Sequence, residues 1–474
     1  MEQLDQVYAY LDAAYPELEQ RLLELLAIRS EQGQAAPGQP FGPGPAQALA
    51  YCLDLAREQG FRVADLDGYM GMADLPGQTA EQMGILSHVD VVPAVAEDWT
   101  FPPYDPMIDQ GMIYGRGALD DKGPLLACAY ALLALKECGP PMKRTVRHLI
   151  GTNEETGFGC IDHYLAHTKV LPTVGFAPDA RFPVVMGEKG LLRWTMDKQW
   201  DAAVTPEADL VLQRCTGGVG INSVPAQARI EFSATEAGYR HIAATVGALP
   251  EAIRKDTALR RDGACVTLAT TGVTAHAAYP EQGDNAVAKL LAILQALDFA
   301  PTGGRDFLTR SAPSLAAWGG GQAGRPRAAD RYGALTNLLS LIEVGPDQGR
   351  FSCDTRYPVT HRGQDYQDQL AAIAEEQGLA FDCWYAMAPL FAPEDSPLIA
   401  TLLKIFRDHT GNEAPPLVIG SGSYARRIPN FAAFGPVSPE DDDLIHQADE
   451  RISRDRLLQL SKIYAHAIYA LANL

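Results

Sequence analysis

MGILSHVDVV, residues 83–92, decides the fold. Its apolar start reads as a short buried strand, and His88 and Asp90 follow two residues apart, so on that strand they point to the same face. The same pattern, an apolar run or a Gly/Pro-marked turn followed by a metal-ligating residue type, recurs down the chain. TVRHLIGTNEE leads to Glu154 and Glu155, VGFAPDARFP to Asp179, GRGALDDKGP to Asp120 and Asp121, and IHQADE to His446. Between these segments lie helical ones, the nearly all-apolar GPLLACAYALLALKEC (123–138) among them. Strand alternating with helix implies an α/β sheet whose ligands emerge at strand ends.

Outward from that core the organisation is discontinuous. Leu4–Ile28 carries apolar residues at helical spacing, the Gly/Pro-rich GQAAPGQPFGPGPAQ reads as a loop, and a helix is expected over Ala46–Gln59. From about Val185 the character changes. KGLLRWTMDKQW, QARIEFSAT, ACVTLATTGVTAHA and FSCDTRYPV read as strands of an antiparallel sheet, with a helix over Asn285–Leu297 and a loop over Gly319–Gly333. Near Met387 the α/β pattern resumes, with SPLIATLLKIFRDHTG and DRLLQLSKIYAHAIYALANL as helices. The metal-ligating types all fall in the outer blocks. The expected architecture is one α/β catalytic domain, residues 1–185 and 387–474, interrupted by an inserted α+β lid domain, residues 186–386. An insertion of that length is a full domain on ordinary size grounds.

Composition narrows the function classes. A formal net charge of −20 disfavours a nucleic-acid partner, because that affinity comes from Lys and Arg neutralising phosphates. The longest apolar run, Leu125–Leu135, is shorter than the roughly 20 residues that span a bilayer. Eight dispersed cysteines without a C-x-x-C pair read as free thiols in a reducing compartment. With a first segment that is acidic and amphipathic rather than signal-like, a cytoplasmic protein is expected.

Two imidazoles and three carboxylates suit a pair of zinc ions, each taking one imidazole and one terminal carboxylate at about 2.0–2.2 Å while a third carboxylate bridges. Two such ions roughly 3.5–4 Å apart would acidify a water and polarise a carbonyl together, which points to amide hydrolysis. From residue type alone, Asp120 and Asp121 compete for one role and Glu154 and Glu155 for another.

SHVDVVP, WTFPPYDPMIDQGMIYGRGALDDKGP, GTNEETG, FAPDARFPVVMGEKG, GVTAHAAYPEQGDNA and HQADE, in this order, resemble the signature segments of the M20 metallopeptidase family, and most nearly its PepV-type dipeptidase branch. The resemblance implies metal ligation by His88, Asp120 (bridging), Glu155, Asp179 and His446, with a non-proline cis peptide between Asp120 and Asp121. It also implies that Asp90 accepts the ring hydrogen bond of His88 and that Glu154 is the general base. From the insertion it draws His276 as oxyanion stabiliser, Arg356 as the grip on a substrate carboxylate, and Asn222 beside them. GSGSYARR replaces a GGGTYAR-like segment, which places Gly420, Ser421 and Gly422 near substrate. SPEDDD before His446 departs from the family's Gly/Pro-containing approach.

The reading is therefore a two-zinc enzyme, with cobalt or manganese as alternatives, that cleaves unblocked dipeptides through a metal-bridging hydroxide. The enlarged insertion implies a monomer, since its second lobe stands in for a dimer partner. An N-acyl or N-succinyl amino-acid deacylase would use the same centre. A catalytically dead binding protein is the reading from another class, and the presence of every ligand together with Glu154 speaks against it.

Overall fold

The computed structural model describes residues 4–201, 208–318 and 328–474, so most of the Gly319–Gly333 loop lies outside the described residues. The chain divides into two compact units: Met1–Gly187 with Ala392–Leu417 and Gly422–Leu474, and Glu188–Phe391 with Val418–Ser421. The observed seams thus fall a few residues beyond the expected 185/186 and 386/387. The short return at Val418–Ser421 was not foreseen. It joins the second unit because the amide of Lys189 donates to the carbonyl of Ile419 (2.9 Å) and Arg356 donates to the carbonyl of Gly420 (3.0 Å).

In the first unit a mixed sheet runs in the order Arg62–Leu66, Met70–Leu75, Arg144–Gly151, Thr79–His88, Val174–Ala177, Phe431–Ala433, Val185–Glu188. Its centre is parallel: Thr79–His88 pairs with Arg144–Gly151 and with Val174–Ala177, which in turn pairs with Phe431–Ala433. Strands buried on both faces read as unbroken apolar runs, and Met83, Ile85, Leu86, Val146, Leu149 and Phe176 are all buried. The approach is close enough that a Cβ on Gly175 would stand 2.2 Å from the carbonyl oxygen of Gly84. Lys122–Cys138 is apolar around its whole circumference and is packed between Asp5–Leu26 and Arg454–Ala472.

Helix ends follow their caps. The helix expected from Ala46 begins earlier, at Pro43, because a proline at the first helical position gives up no hydrogen bond and brings a suitable φ. Pro397–Thr410 starts at Ser396, whose hydroxyl accepts from the amide of Ile399, and ends on the left-handed Gly411.

The second unit is an eight-stranded antiparallel sheet in the order Thr257–Asp262, Cys265–Thr271, Gln227–Ala234, Leu210–Gly217, Thr336–Val344, Gln348–Tyr357, Gly190–Gln199, Ala380–Met387. Along Gln227–Ala234 burial alternates, with Ala228, Ile230, Phe232 and Ala234 inward, as one buried face requires. These side chains meet Trp194, Leu290 and Phe351 in one core that includes the helix Ala286–Gln295.

Candidate metal centre

His88 is the last residue of its strand, Glu154 and Glu155 follow the end of Arg144–Gly151, and Asp179 follows Val174–Ala177. All three strands are parallel neighbours, so their carboxyl ends deliver the side chains to one place, as open α/β sheets do. Asp120 arrives on the turn before the helix Lys122–Cys138, and His446 on the loop before Arg451–Ser453.

Two groups of potential ligand atoms result, each within 4.8 Å of one another: His88 with Glu154 and Asp179, and Asp120 with Glu155 and His446. Asp120 also links them. Its Oδ1 lies 2.9 Å from Nε2 of His88 and its Oδ2 lies 3.0 Å from Nε2 of His446. Nε2 of His88 is 3.7 Å from Asp179 Oδ2, and Nε2 of His446 is 3.0 Å from Glu155 Oε2.

The structure separates the adjacent acids that residue type leaves open. Asp121 turns behind the strand, where its Oδ2 accepts from the amide of His88 (3.1 Å), while Asp120 faces the imidazoles. The peptide between them is cis. Glu155 faces His446, and Glu154 lies with His88 and Asp179. Asp90 needs a correction in detail. The nearer partner of His88 Nδ1 is the main-chain oxygen of Asp90 (2.9 Å), with the carboxylate at 3.5 Å. The carboxylate instead accepts from the amides of Glu154 (2.9 Å) and Glu155 (3.1 Å), so it holds the acidic pair as well as standing beside the imidazole.

Burial and crowded charge perturb the groups of this cluster. Burial, and then the charge of Asp120, push Asp179 up to about 8 and Glu155 up to about 7. Burial, and next the charge of Asp179, hold Glu154 well above the usual carboxylate range. Burial would lower His446, but its hydrogen bonds to Asp120 and Glu155 outweigh that and raise it to about 11. A pair of divalent cations inverts such preferences, keeping carboxylates ionised and imidazoles neutral. The donor set fits: imidazole nitrogen and carboxylate oxygen, with one carboxylate placed between two groups.

The unusual SPEDDD approach to His446 is held by specific contacts. Arg181 pairs with Asp443, Arg456 with Asp441 (2.9 Å), and Pro436–Val437 pairs in parallel with Ala180–Arg181, next to Asp179. His446 itself takes a left-handed φ of 62°. Sequence reasoning did not single out Arg181. Tyr424 was also missed. It is fully buried with its ring edge-on to His88 at 6.0 Å, and its presence in GSGSYARR was the available signal.

In the second unit, Asn222 and His276 sit on segments that pair with each other. The amide of Ala277 donates to the carbonyl of Asn222 (2.9 Å), and that of Val224 to the carbonyl of Ala275 (2.8 Å). Arg356 is buried, and its fork meets Asp354 through Nε (2.6 Å) and Nη2 (3.1 Å). Gly420 and Ser421 belong to this unit and Gly422 to the first.

The carboxyl ends of the parallel strands, with the turn of Asp120 and the loop of His446, bring together the donor types of a divalent-metal centre. Residues 84–470 match the family described as Peptidase family M20/M25/M40. A Bacillus subtilis (strain 168) protein named "Putative dipeptidase YtjP" is 34% identical over 462 residues, spanning 95% of this chain and 96% of its own. A Staphylococcus epidermidis protein named "Putative dipeptidase" is 32% identical over 453 residues, spanning 95% of each. Human carnosine dipeptidase 1 shares the fold with a TM-score of 0.59 at 15% identity over 99% of both chains. Aminoacylhistidine dipeptidase from Vibrio alginolyticus does so at 0.58 and 16% over 99% of both. The chain belongs to the M20/M25/M40 peptidase family and is a metallopeptidase.

Proposed function

We propose that the protein is a dipeptidase working with two zinc ions per chain, cobalt or manganese being able to stand in. The observation that carries this reading is the position of Asp120, whose two carboxylate oxygens face two different imidazoles. His88, Asp120 and Asp179 would hold one ion, and Asp120, Glu155 and His446 the other. Bound there, the pair supplies the charge that acidifies a water and polarises the scissile carbonyl.

The chain's own residues do the rest. Glu154 takes the proton of the attacking water and passes it to the leaving amine. Asp90 fixes Glu154 by holding its amide and that of Glu155. His276 donates to the developing oxyanion, with Asn222 beside it. Arg356 is the partner of the substrate's terminal carboxylate, a task suited to a planar fork; Asp354 and the carbonyl of Gly420 take one N–H each from Nε, Nη1 and Nη2, which leaves one on each Nη for a ligand. Gly420, Ser421 and Gly422 offer backbone close to substrate.

Relatives named as dipeptidases that span nearly the whole chain support the substrate class. Eight dispersed cysteines without a C-x-x-C pair suit a reducing, cytoplasmic setting, and no helix among the described residues is long and apolar enough to cross a membrane. The monomer rests on the size of the inserted unit, which spans Glu188–Phe391.

A substrate panel tests the reading. Unblocked dipeptides should be cleaved with broad side-chain tolerance, and tripeptides, C-terminally amidated dipeptides and N-acetyl or N-succinyl amino acids should be turned over poorly. A clear preference for the acylated amino acids would replace the dipeptidase with a deacylase on the same centre.

A further inference from the structure

Glu450 ends the segment HQADE, and the proposed reaction gives it no task. It is fully buried (0% exposed), and both its oxygens are filled. Oε2 accepts from Nη1 of Arg116 (2.7 Å) and the amide of Gly117 (3.0 Å), and Oε1 accepts from the amides of Leu119 (2.8 Å) and Asp120 (3.1 Å). An ionised carboxylate offers about four lone-pair directions, so a single turn of chain, Arg116–Asp120, occupies all of them. That turn is wound around the carboxylate, with Gly117 at a φ of 93° where an added Cβ would crowd Lys122 and Val91. Arg116 is also buried, with its guanidinium 5.1 Å over the ring of Trp99. The main chain ties the same two segments together, since the carbonyl of Glu450 accepts from Gly115 (3.1 Å) and Arg451–Ser453 pairs with Met112–Tyr114.

The last donor of this turn is the amide of Asp120, and Glu450 stands four residues after His446. One carboxylate therefore joins the turn bearing Asp120 to the loop bearing His446, from opposite ends of the sequence. The geometry points to Glu450 as a positioning residue of the metal centre, fixing the Asp120 turn where its carboxylate can face both His88 and His446. This rests on the reading of Asp120 as the shared ligand.

The test uses the full-length protein and cobalt(II), whose binding and visible absorption report the ligand field without any peptide substrate. Glu450→Gln keeps the shape but sets an NH₂ group against amide N–H donors. Groups that orient ligands typically change metal affinity by 10–100-fold, and a weakening of about that size is expected here, with an altered cobalt spectrum. Glu450→Asp, which keeps the charge, should recover part of the affinity. A Glu450→Gln protein that melts earlier yet binds cobalt with wild-type affinity and spectrum would overturn the proposal and leave Glu450 as a structural plug. Should that variant fail to fold, Arg116→Met removes one of the four donors. A several-fold weaker cobalt affinity is then expected, and unchanged affinity and spectrum would overturn the proposal equally. Neither readout depends on dipeptides being the substrate, so failure of that reading would be seen separately, in the substrate panel.

Discussion

Glu154→Ala should lower kcat by about 10²–10⁴-fold, the usual worth of a positioned general base, while the purified protein keeps its metal. Asp120→Ala should lose both turnover and metal. The contrast matters because distance alone does not divide the roles: the Glu154 carboxylate lies within ligand reach of His88 and Asp179, just as Glu155 does of Asp120 and His446. What separates them is the linking position of Asp120, whose removal takes a donor from both groups at once. Removing Glu154 leaves His88, Asp120 and Asp179 together on one side and Asp120, Glu155 and His446 on the other. Metal content and kcat measured on the same preparations decide the matter. Equal metal loss in the two variants would make Glu154 a ligand and leave the general base to be found elsewhere.

Arg356→Met should be strongly damaging, and for two separable reasons. Asp354 is fully buried, and Arg356 supplies its two shortest contacts, leaving Arg193 Nε at 3.3 Å. Stripping one partner from a buried pair costs about 3–5 kcal/mol because a charge is left uncompensated, and the remaining contact with Arg193 puts the expected loss at the lower end. Arg356→Lys keeps the charge and much of the stability but loses the fork. With that variant, the discrimination between a dipeptide and its C-terminal amide, measured as a ratio of kcat/KM values, should shrink sharply. An unchanged ratio would confine Arg356 to holding Asp354.

The segments that carry the candidate ligands were legible because each rests on short-range pattern: an apolar run of strand length, then His or a carboxylate. Parallel strands make that pattern carry far, since all carboxyl ends of adjacent strands open to one side, and His88, Glu155 and Asp179 follow from it directly. Choosing between neighbours was beyond the sequence. Asp120 and Asp121 differ only in which way one turn presents them, and the structure sends Asp121 back to the amide of His88. The second role of Asp90 was hidden for the same reason, because its carboxylate meets amides 64 and 65 residues away. Glu450 carries no mark in the sequence, since an acid at the end of a polar segment looks like any solvated one until Arg116 and three amides are seen around it. The return of Val418–Ser421 to the second unit could not be anticipated, because a Gly/Ser turn carries no mark of the partner it will find.

Two ions sharing Asp120 make up the proposed centre, and elemental analysis of protein purified without chelator tests it most directly. Divalent metal should approach two ions per chain, and after chelation and dialysis the apo-protein should take up two equivalents of zinc with activity returning as the second site fills. Saturation at one equivalent, with full activity and no second site on further titration, would contradict the account.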